Sequence, residues 1–376
     1  MRPSIRSWLI VSLWLAACGD GGGDAPIDAA RDALTDALVD TSPGDRPDFL
    51  DARVIDAMPG APIDDVEPAD CGGDPLIARG GDLAMVVSAL AIPSLLDSAD
   101  LDGDGTPDNK LAGIGALVPG PIADGLADGS LTLAVELFDR GGDPDACLKL
   151  ALYRGACVGV SCSYTDAVPD VISLDPASIG AGGEPRSRLR AMATTADGQI
   201  TTGGGVVTIT LPVIDGAGLP LPLTVLSGGG ALVGAGPTAR LQDLRLYGVL
   251  QPGPLDALPS PPIEQIGATP DDSVLDLMYA NLFAPLLALP TVPSVAGCRG
   301  ADVDLDGDGL EGFCDEDTSD DLKRVTLCVD GDGTQIRDGD DGVPRCTDAM
   351  VGGVRRFRDG ISAAFVLSTR PATIAP

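Results

Sequence analysis

Short segments in which apolar and polar residues alternate recur after Cys71, and glycine, proline or aspartate separates them. The segment SLTLAVELFD (130–139) places Leu131, Leu133 and Val135 on one face of an extended chain. A period of two is typical of strands with one buried face, and turn residues between such segments favour an antiparallel sheet. The sequence therefore predicts a mostly β, sandwich-like antiparallel domain. The same alternation recurs in five further segments: 147–153, 206–214, 222–226, 244–250 and 361–368.

A helical spacing of apolar residues interrupts this pattern once. Leu275 and Met278 lie three residues apart, and Ser273 with the two aspartates before it can cap a helix. Pro285 disrupts the helical pattern further on. We therefore expect one or two helices beside the sheet, in a domain of residues 71–376 that is long enough to bury a core.

The segment 1–18 has the pattern of a bacterial export signal. Two arginines precede an apolar run that is too short to span a bilayer, and the run ends at Cys18. Leu15 to Cys18 resembles a lipobox, in which cleavage leaves the cysteine as a lipid-modified terminus. The alternative is cleavage elsewhere, with Cys18 lost. We expect an exported protein anchored through lipidated Cys18, at the outer membrane or cell surface in preference to the inner membrane.

Residues 19–70 are predicted to form a disordered, Asp- and Ala-rich tether. Aspartate recurs at every fourth position, so a helix would stack like charges along one side. The alternative is an amphipathic interaction helix, which Pro26 and three consecutive glycines oppose. As a flexible coil the segment would reach roughly 40 Å from the membrane. The regularly spaced aspartates are Asp20, Asp24, Asp28, Asp32, Asp36 and Asp40.

Eight cysteines follow Cys18, and an even number of cysteines in an exported chain indicates disulfide bonds. Eight cysteines can pair in many ways, so the sequence supports only two expectations. Cys157 and Cys162 close a small loop, and further bonds form within the group Cys298–Cys346. The chain contains no histidine and no Cys-x-x-Cys pair for a zinc site. The eight are Cys71, Cys147, Cys157, Cys162, Cys298, Cys314, Cys328 and Cys346.

The formal net charge is −32 at pH 7, and only six of the 56 acidic residues are glutamate. Such a surface repels nucleic acid and anionic lipid headgroups, so neither is an expected partner. Aspartate rather than glutamate is typical of short calcium-binding turns, although solubility alone can favour the same composition. The expected partners are the membrane, through the lipid, and an unknown surface protein or glycan.

The first of three aspartate-rich stretches, DLDGDGTPD (100–108), has carboxylates at every second position. Calcium takes six to eight oxygen ligands, and carboxylates at positions 1, 3 and 5 of a tight loop converge on one point. A glycine at position 6 allows the turn. Position 12 is leucine, so the stretch matches a short D-x-D-x-D-G-x-x-D form and not a full EF-hand loop. The predicted ligands are Asp100, Asp102, Asp104, the carbonyl of Thr106 and Asp108.

The second stretch, DVDLDGDGLEGFCD (302–315), repeats the pattern far later in the chain. With Asp304 at position 1, glycine falls at position 6 and aspartate at position 12, while glycine at position 9 requires a water to serve as ligand. A frame that starts at Asp302 also fits, with Gly307 at position 6. The predicted ligands are Asp304, Asp306, Asp308, the carbonyl of Leu310 and Asp315.

A third stretch, CVDGDGTQIRD (328–338), fits less well. Asp330, Asp332 and Asp338 match positions 1, 3 and 9, but threonine and glutamine stand where aspartate and glycine are needed. For all three stretches the alternative is an acidic turn without metal, because Asp-Gly is common turn chemistry. We favour calcium at the first two, since clustered carboxylates are costly without a cation, and leave the third open. Magnesium fits less well because it requires rigid octahedral geometry.

The D-x-D-x-D-G-x-x-D loops, interleaved with Cys314, Cys328 and Cys346, resemble thrombospondin type 3 calcium repeats. The repeat-like part is the Asp- and Cys-rich segment 298–350, together with the isolated loop at Asp100. The copies are few, irregular and scattered, and a dockerin would need two adjacent loop–helix copies. The whole chain resembles uncharacterised bacterial surface lipoproteins that carry such loops. The resemblance implies extracellular calcium binding and no particular activity.

The absence of histidine excludes the Ser-His-Asp triad, the Cys-His dyad and the histidine-containing zinc helix. Both tryptophans, Trp8 and Trp14, lie in the predicted signal peptide, so few aromatic residues are left for sugar stacking. Two glycine triplets, 203–205 and 228–230, are predicted turns and lack the Lys-Ser/Thr of a phosphate-binding loop. We therefore predict a calcium-stabilised surface protein with a structural or interaction role, and not an enzyme. Two alternatives stay open: a polysaccharide hydrolase that uses aspartate pairs, and a binder of small apolar ligands.

Overall fold

Sixteen strands, four α-helices and four short 3₁₀ helices (Leu95–Asp97, Lys110–Gly113, Pro176–Ser178 and Gly236–Thr238) make up the regular structure of the part of the chain that the computed structural model describes. The described residues are 80–138, 147–158, 162–164, 171–193, 198–214, 217–264, 267–279, 283–292, 295, 297–305, 307, 309–315, 324–331, 333–337, 350–351, 354–355 and 359–375. The strands are β1 (Leu83–Ala91), β2 (Leu133–Phe138), β3 (Cys147–Cys157), β4 (Val171–Leu174), β5 (Ser187–Ala193), β6 (Gln199–Ile214), β7 (Ala217–Val233), β8 (Arg240–Leu250), β9 (Arg299–Gly300), β10 (Gly312–Cys314), β11 (Leu327–Val329), β12 (Gln335–Arg337), β13 (Met350–Val351), β14 (Val354–Arg355), β15 (Ile361–Pro371) and β16 (Thr373–Ile374). The helices are α1 (Pro119–Asp128), α2 (Pro252–Asp256), α3 (Val274–Tyr279) and α4 (Phe283–Leu287).

Ten of these strands form one sheet, in the order β16-β4-β3-β2-β1-β15-β8-β7-β6-β5. β3 pairs with both β2 and β5, so eight of the strands close on themselves into an antiparallel barrel. The prediction of a mostly β, antiparallel domain is confirmed. The sandwich is not confirmed, because the strands are joined edge to edge in a ring, and closing a ring removes the free edges of the sheet.

Residues 206–212 of β6 are alternately buried and partly exposed, as the period-two pattern predicts, whereas Leu133–Leu137 of β2 and Ile361–Phe365 of β15 are buried without alternation. In the pairing of β6 with β7, Ile209 lies opposite Leu221 and Leu211 lies opposite Leu219. All four side chains are completely buried, and Thr210, which lies between the two β6 residues, is partly exposed. Complete burial of one such side chain contributes about 1.5–3 kcal/mol, so the apolar core accounts for most of the driving force for folding.

The two glycine triplets lie inside β6 and β7, and the prediction of turns there is wrong. The triplet of β7 pairs with Ile200–Thr202, the residues directly before the triplet of β6. A Cβ at Gly228 would meet the carbonyl oxygen of Arg245 on β8, and Gly205 has a φ of +146° next to a shift in strand register. Glycine is therefore needed where the strands approach closely and bend.

The predicted helix is present as α3, and the three residues that follow it, 280–282, lie outside the described residues. Asp276 Oδ2 accepts hydrogen bonds from the amide and the hydroxyl of Ser273, at 2.8 and 2.9 Å. Asp276 Oδ1 accepts from the amide of Val325 at 2.7 Å. Pro285 is the third residue of α4, where an amide has no intrahelical partner. Four short helices are thus described where one or two were predicted.

A smaller sheet, in the order β12-β11-β10-β9, lies within the Asp- and Cys-rich segment 298–350. A disulfide between Cys298 and Cys314 joins the outer ends of β9 and β10, and buried apolar residues surround it. A second disulfide joins Cys157 to Cys162. Both expectations for the cysteines are confirmed. The Cys298–Cys314 bond closes a hairpin that contains the second aspartate-rich stretch.

Removing the Cys298–Cys314 bond is expected to lower the free energy of unfolding by about 3 kcal/mol, because its 16-residue separation restricts the unfolded chain. The double variant Cys298→Ala with Cys314→Ala, unfolded in urea, measures the loss. The control is Cys157→Ala with Cys162→Ala, where a separation of five residues predicts a smaller loss of about 2 kcal/mol. A larger loss in the control would contradict the expectation.

The predicted signal peptide, the lipidation site Cys18 and the tether 19–70 lie outside the described residues. All of the described residues belong to one compact unit, which lies within Ala52–Pro376. None of the described helices combines the length and the apolar character that crossing a membrane requires.

Candidate metal centre

The first aspartate-rich stretch, named loop 1 here (residues 100–108), folds around its first carboxylate. The amides of Gly103 and Gly105 donate to Asp100 Oδ1 and Oδ2, at 2.7 and 2.8 Å. Both glycines have positive φ angles, 79° and 88°, which the tight turn requires. The amide of Asp108 donates to the carbonyl of Ala99 at 2.7 Å and closes the base of the loop.

Three carboxylates of loop 1 converge. One oxygen each from Asp100, Asp102 and Asp108 lies within 4.8 Å of the other two. Among the described residues Asp104 is not part of this group, and its carboxylate accepts a hydrogen bond from the amide of Thr106 at 2.6 Å. Asp102 is exposed and Asp108 is half-buried, and the group offers oxygens alone, which suits a hard cation such as calcium.

The local environment opposes ionisation of these carboxyl groups. Burial is the main cause that raises the pKa of Asp108 to about 7, and the hydrogen bond from the Leu101 amide opposes the rise. The negative charges of Asp102, Asp104 and Asp302 act in the same direction as burial. Burial also raises the pKa of Asp102. Without a cation, holding these groups together in their ionised forms costs free energy.

In the absence of calcium, the free energy of unfolding of the wild type is expected to fall more steeply between about pH 4 and 7 than that of Asp108→Asn. Folded Asp108 keeps its proton up to about pH 7, whereas the unfolded residue releases it near 3.8, so the folded state binds more protons in this window. The contribution is therefore lost as the pH rises through the window and is constant above it. Urea unfolding in chelator at several pH values measures both slopes. Asp124→Asn, which removes an exposed carboxylate from α1, should keep the wild-type slope, and equal slopes for all three proteins would contradict the expectation.

The second stretch repeats the hydrogen bonding of loop 1. In loop 2 (residues 304–309), the amides of Gly307 and Gly309 donate to Asp304 Oδ1 and Oδ2, at 2.7 and 3.1 Å. The spacing from the accepting aspartate to the two glycines is the same as in loop 1. The hydrogen bonding therefore favours the frame that starts at Asp304 over the frame that starts at Asp302.

The other predicted ligands of the second stretch differ in where they lie. Asp306 and Asp308 are outside the described residues, so their role stays a prediction. Leu310 directly follows loop 2 and is partly buried. Asp315 follows β10, at the end of that strand that is remote from loop 2. Of these four, only Leu310 is described beside the loop.

A carboxylate that the aspartate-rich pattern does not include lies against loop 2. Asp359 is completely buried directly before β15, and it accepts the amides of Leu305 and Glu311, at 2.9 and 3.0 Å. In loop 1 the corresponding amide, that of Leu101, donates to Asp108 Oδ2 at 2.7 Å. Asp359 thus takes the place in loop 2 that Asp108 takes in loop 1. Its only sequence signal is an Asp-Gly pair before a strand, which is common turn chemistry.

The third stretch forms a hairpin turn between β11 and β12. Asp330 is buried, its Oδ1 accepts the amide of Thr334 at 2.7 Å, and its own amide donates to the carbonyl of Thr334 at 3.0 Å. Asp332 and Asp338 lie outside the described residues. These contacts are typical of a turn, and a third calcium site stays a prediction.

Loops 1 and 2 share one arrangement around their first aspartates. In each, the first aspartate accepts two glycine amides, and a second carboxylate accepts the amide next to that aspartate. Neither loop contains histidine or cysteine, so the available side-chain ligands suit a hard cation and not a softer metal. Comparison of the chain with protein families, curated proteins and solved structures finds no match.

Proposed function

We propose that this chain is an exported, lipid-anchored protein whose β domain is stabilised by calcium and which has a structural or interaction role at the cell surface. The observation that carries the proposal is the group of Asp100, Asp102 and Asp108, with carboxylate oxygens within 4.8 Å of one another. The repeated hydrogen bonding around Asp304 supports it. The resemblance to thrombospondin type 3 repeats agrees with both loops.

Calcium fits these loops better than magnesium does. Calcium takes six to eight oxygens in a flexible geometry, whereas magnesium requires a near-ideal octahedron and keeps several waters. Extracellular modules bind calcium at about 0.1–1 mM, so calcium at about 1 mM adds roughly 0.4–1.4 kcal/mol of stability per site. Such an increment matters to a marginally stable domain without being required for its folding.

The proposed location rests on residues 1–18 and on the disulfides. The apolar run that ends at Cys18 supports export and lipidation. The Cys157–Cys162 and Cys298–Cys314 bonds agree with an oxidising compartment outside the cytoplasm. The proposed partners are the membrane, through lipidated Cys18, and an unknown surface protein or glycan that the tether allows the domain to reach.

Calcium at about 10 mM is expected to raise the thermal unfolding midpoint of the exported chain, residues 19–376, by about 4–8 °C. Circular dichroism in chelator, calcium or magnesium measures the shift. Asp100→Asn with Asp108→Asn should remove about half of it, and so should Asp304→Asn with Asp306→Asn, because each pair disables one of two loops.

The matched control for these variants is Asp124→Asn with Asp271→Asn, which removes two exposed carboxylates away from the loops and should keep the full shift. A midpoint that does not respond to calcium would refute the calcium proposal. An equal response to magnesium would refute its specificity for calcium.

A cavity supports a second candidate function, the binding of a small apolar ligand. The cavity has a volume of about 260 Å³, lies between β1 and α1, and has mainly apolar walls. A lipid that stays bound in native mass spectrometry of the purified protein would favour this function, and a ligand-free spectrum would count against it. The apolar lining includes Leu90, Ile92, Val118, Ile122 and Leu126.

A further inference from the structure

The cavity between β1 and α1, named the slot here, is long and narrow. Five successive residues, 88–92, line one side of it, and residues 119–126 of α1 line the other. Four steps along a strand cover about 13 Å and seven along a helix about 10 Å, so the slot is roughly 10–13 Å long. Dividing its volume of about 260 Å³ by this length gives a mean cross-section of about 20–26 Å². This shape suits one extended hydrocarbon chain.

The slot exists because a helix lies where a strand would otherwise continue the sheet. β2 pairs with β1 only as far as Val86, opposite Ala134, and α1 lies beside the rest of β1. A paired strand approaches to about 4.8 Å, whereas a helix is about 10 Å across, so helix and strand meet only through their side chains. Three exposed lining residues, Ala89, Ala91 and Ala123, have small side chains that do not fill the space between the two elements.

The walls of the slot offer hydrocarbon and no charge. Of the described residues that line it, none is charged, and the hydroxyl of Ser88 donates to the carbonyl of Ser368 at 3.3 Å. Leu90, Ile122 and Leu126 line it with buried apolar side chains. A polar group that entered would lose its hydrogen bonds to water without replacement, which costs free energy. The part of a ligand that enters the slot is therefore apolar.

Exposed leucines continue this apolar surface along the chain on both sides of the slot. Leu117, next to the lining residue Val118, is 54% exposed. Leu95 and Leu96 come shortly after the lining residue Ile92 and are 45% and 65% exposed. Grouped exposed apolar side chains are typical of surfaces that contact a ligand, a partner or a membrane.

Hydrogen bonds beyond the slot hold α1 in place. The amide of Leu131 donates to the carbonyl of Gly125 at 2.9 Å, and the amide of Tyr164 donates to the carbonyl of Leu126 at 3.0 Å. Both bonds fix the end of the helix that leads into β2. The slot is thus formed before a ligand binds, so binding requires little ordering of the protein.

We propose that the slot binds one acyl chain of a zwitterionic membrane lipid, whose headgroup stays outside. The inference rests on the second candidate function above, the binding of a small apolar ligand. The narrow shape favours a chain over a compact ligand, and the net charge of −32 disfavours an anionic headgroup. The proposed lipid anchor keeps the domain beside a membrane that supplies such lipids.

Isothermal titration of the exported chain, residues 19–376, with lysophosphatidylcholines of increasing chain length tests the slot, each used below its micelle-forming concentration. Each methylene that enters should strengthen binding by about fourfold, and the gain should stop once the chain is longer than the slot. Affinity that does not depend on chain length, or that rises without a plateau, would overturn the proposal. A fatty acid of equal chain length should bind more weakly, and tighter binding would overturn the preference for a zwitterionic headgroup.

Two variants that fill the slot from opposite walls locate the bound chain. Ala123→Phe on α1 and Ala91→Phe on β1 should each weaken binding by about tenfold or more. The matched control is Ala127→Phe, because Ala127 is also exposed on α1 but is not part of the lining, and it should keep the wild-type affinity. Circular dichroism checks that each variant is folded. Wild-type affinity in both filled variants, or an equal loss in the control, would overturn the assignment of the chain to the slot.

Benzene separates failure of the acyl chain from failure of the apolar site, because apolar cavities of about 150 Å³ already bind it. Binding of benzene that Ala123→Phe abolishes, without binding of any lysophosphatidylcholine, would overturn the acyl chain and leave the second candidate function intact. Absence of binding by benzene and by every lysophosphatidylcholine would overturn that function itself.

Discussion

Asp359→Ala is expected to lower the free energy of unfolding by about 3–5 kcal/mol in the absence of calcium. The Asp359 side chain is completely buried and accepts the amides of partly buried Leu305 and of buried Glu311, so its removal leaves both donors without this acceptor. Leaving a buried donor without its acceptor costs about 1–3 kcal/mol per donor. Urea unfolding in chelator, followed by circular dichroism, measures the loss.

Two further variants make this result specific. Asp359→Asn keeps one carbonyl acceptor and should lose about half as much stability as the alanine variant. Asp124→Ala removes an exposed aspartate from α1 and should change stability by less than about 0.5 kcal/mol. A loss below about 1 kcal/mol for Asp359→Ala would show that the amides of loop 2 do not depend on this carboxylate.

Asp276→Ala is the second change with a large expected effect, a loss of about 3–4 kcal/mol. Asp276 accepts the amide and hydroxyl of Ser273 at the start of α3, and it also accepts the amide of Val325. One side chain thus caps a helix and attaches the segment that leads into β11. Arg324, which precedes Val325, forms an ion pair with Asp272 at 2.8 Å. This ion pair also holds the segment before β11 against the start of α3.

The measurement for Asp276→Ala is again urea unfolding, with hydrogen exchange of the Val325 amide as a local probe. Exchange at this amide should become much faster, because its acceptor is lost. The control is Asp271→Ala, which removes an exposed aspartate just before Asp272. It should change neither the free energy of unfolding nor the exchange rate of the Val325 amide. Protection of Val325 equal to that of the wild type would contradict the assigned role of Asp276.

The strands could be predicted from the sequence, but their closure could not. A period of two shows which face of a strand is buried, as for Ile209 and Leu211 in β6. It does not show which strands pair, and the ring depends on β3 pairing with both β2 and β5. The prediction of turns at the two glycine triplets fails for a related reason. Glycine permits turns, and it also permits the close approach of neighbouring strands, here at Gly228.

The residues of the candidate site could likewise be predicted from the sequence only in part. Asp100, Asp102 and Asp108 lie in one short stretch, so loop geometry alone predicts that they meet, and they do. Asp359 lies about fifty residues beyond loop 2 and reaches it only because β15 passes beside the loop, which is a property of tertiary structure.

The pairing of β1 with β15 has a consequence for how the chain matures. β1 is the first strand of the barrel and β15 is the last, yet they are neighbours, with Met85 opposite Pro371. The amino-terminal part of a nascent chain emerges first, so β1 and β8 expose unpaired edges until Ile361 and the residues after it arrive. Such long-range pairing is slow. The newly emerged chain therefore passes through an extended period of vulnerability to aggregation, which ends only when its last long strand is inserted.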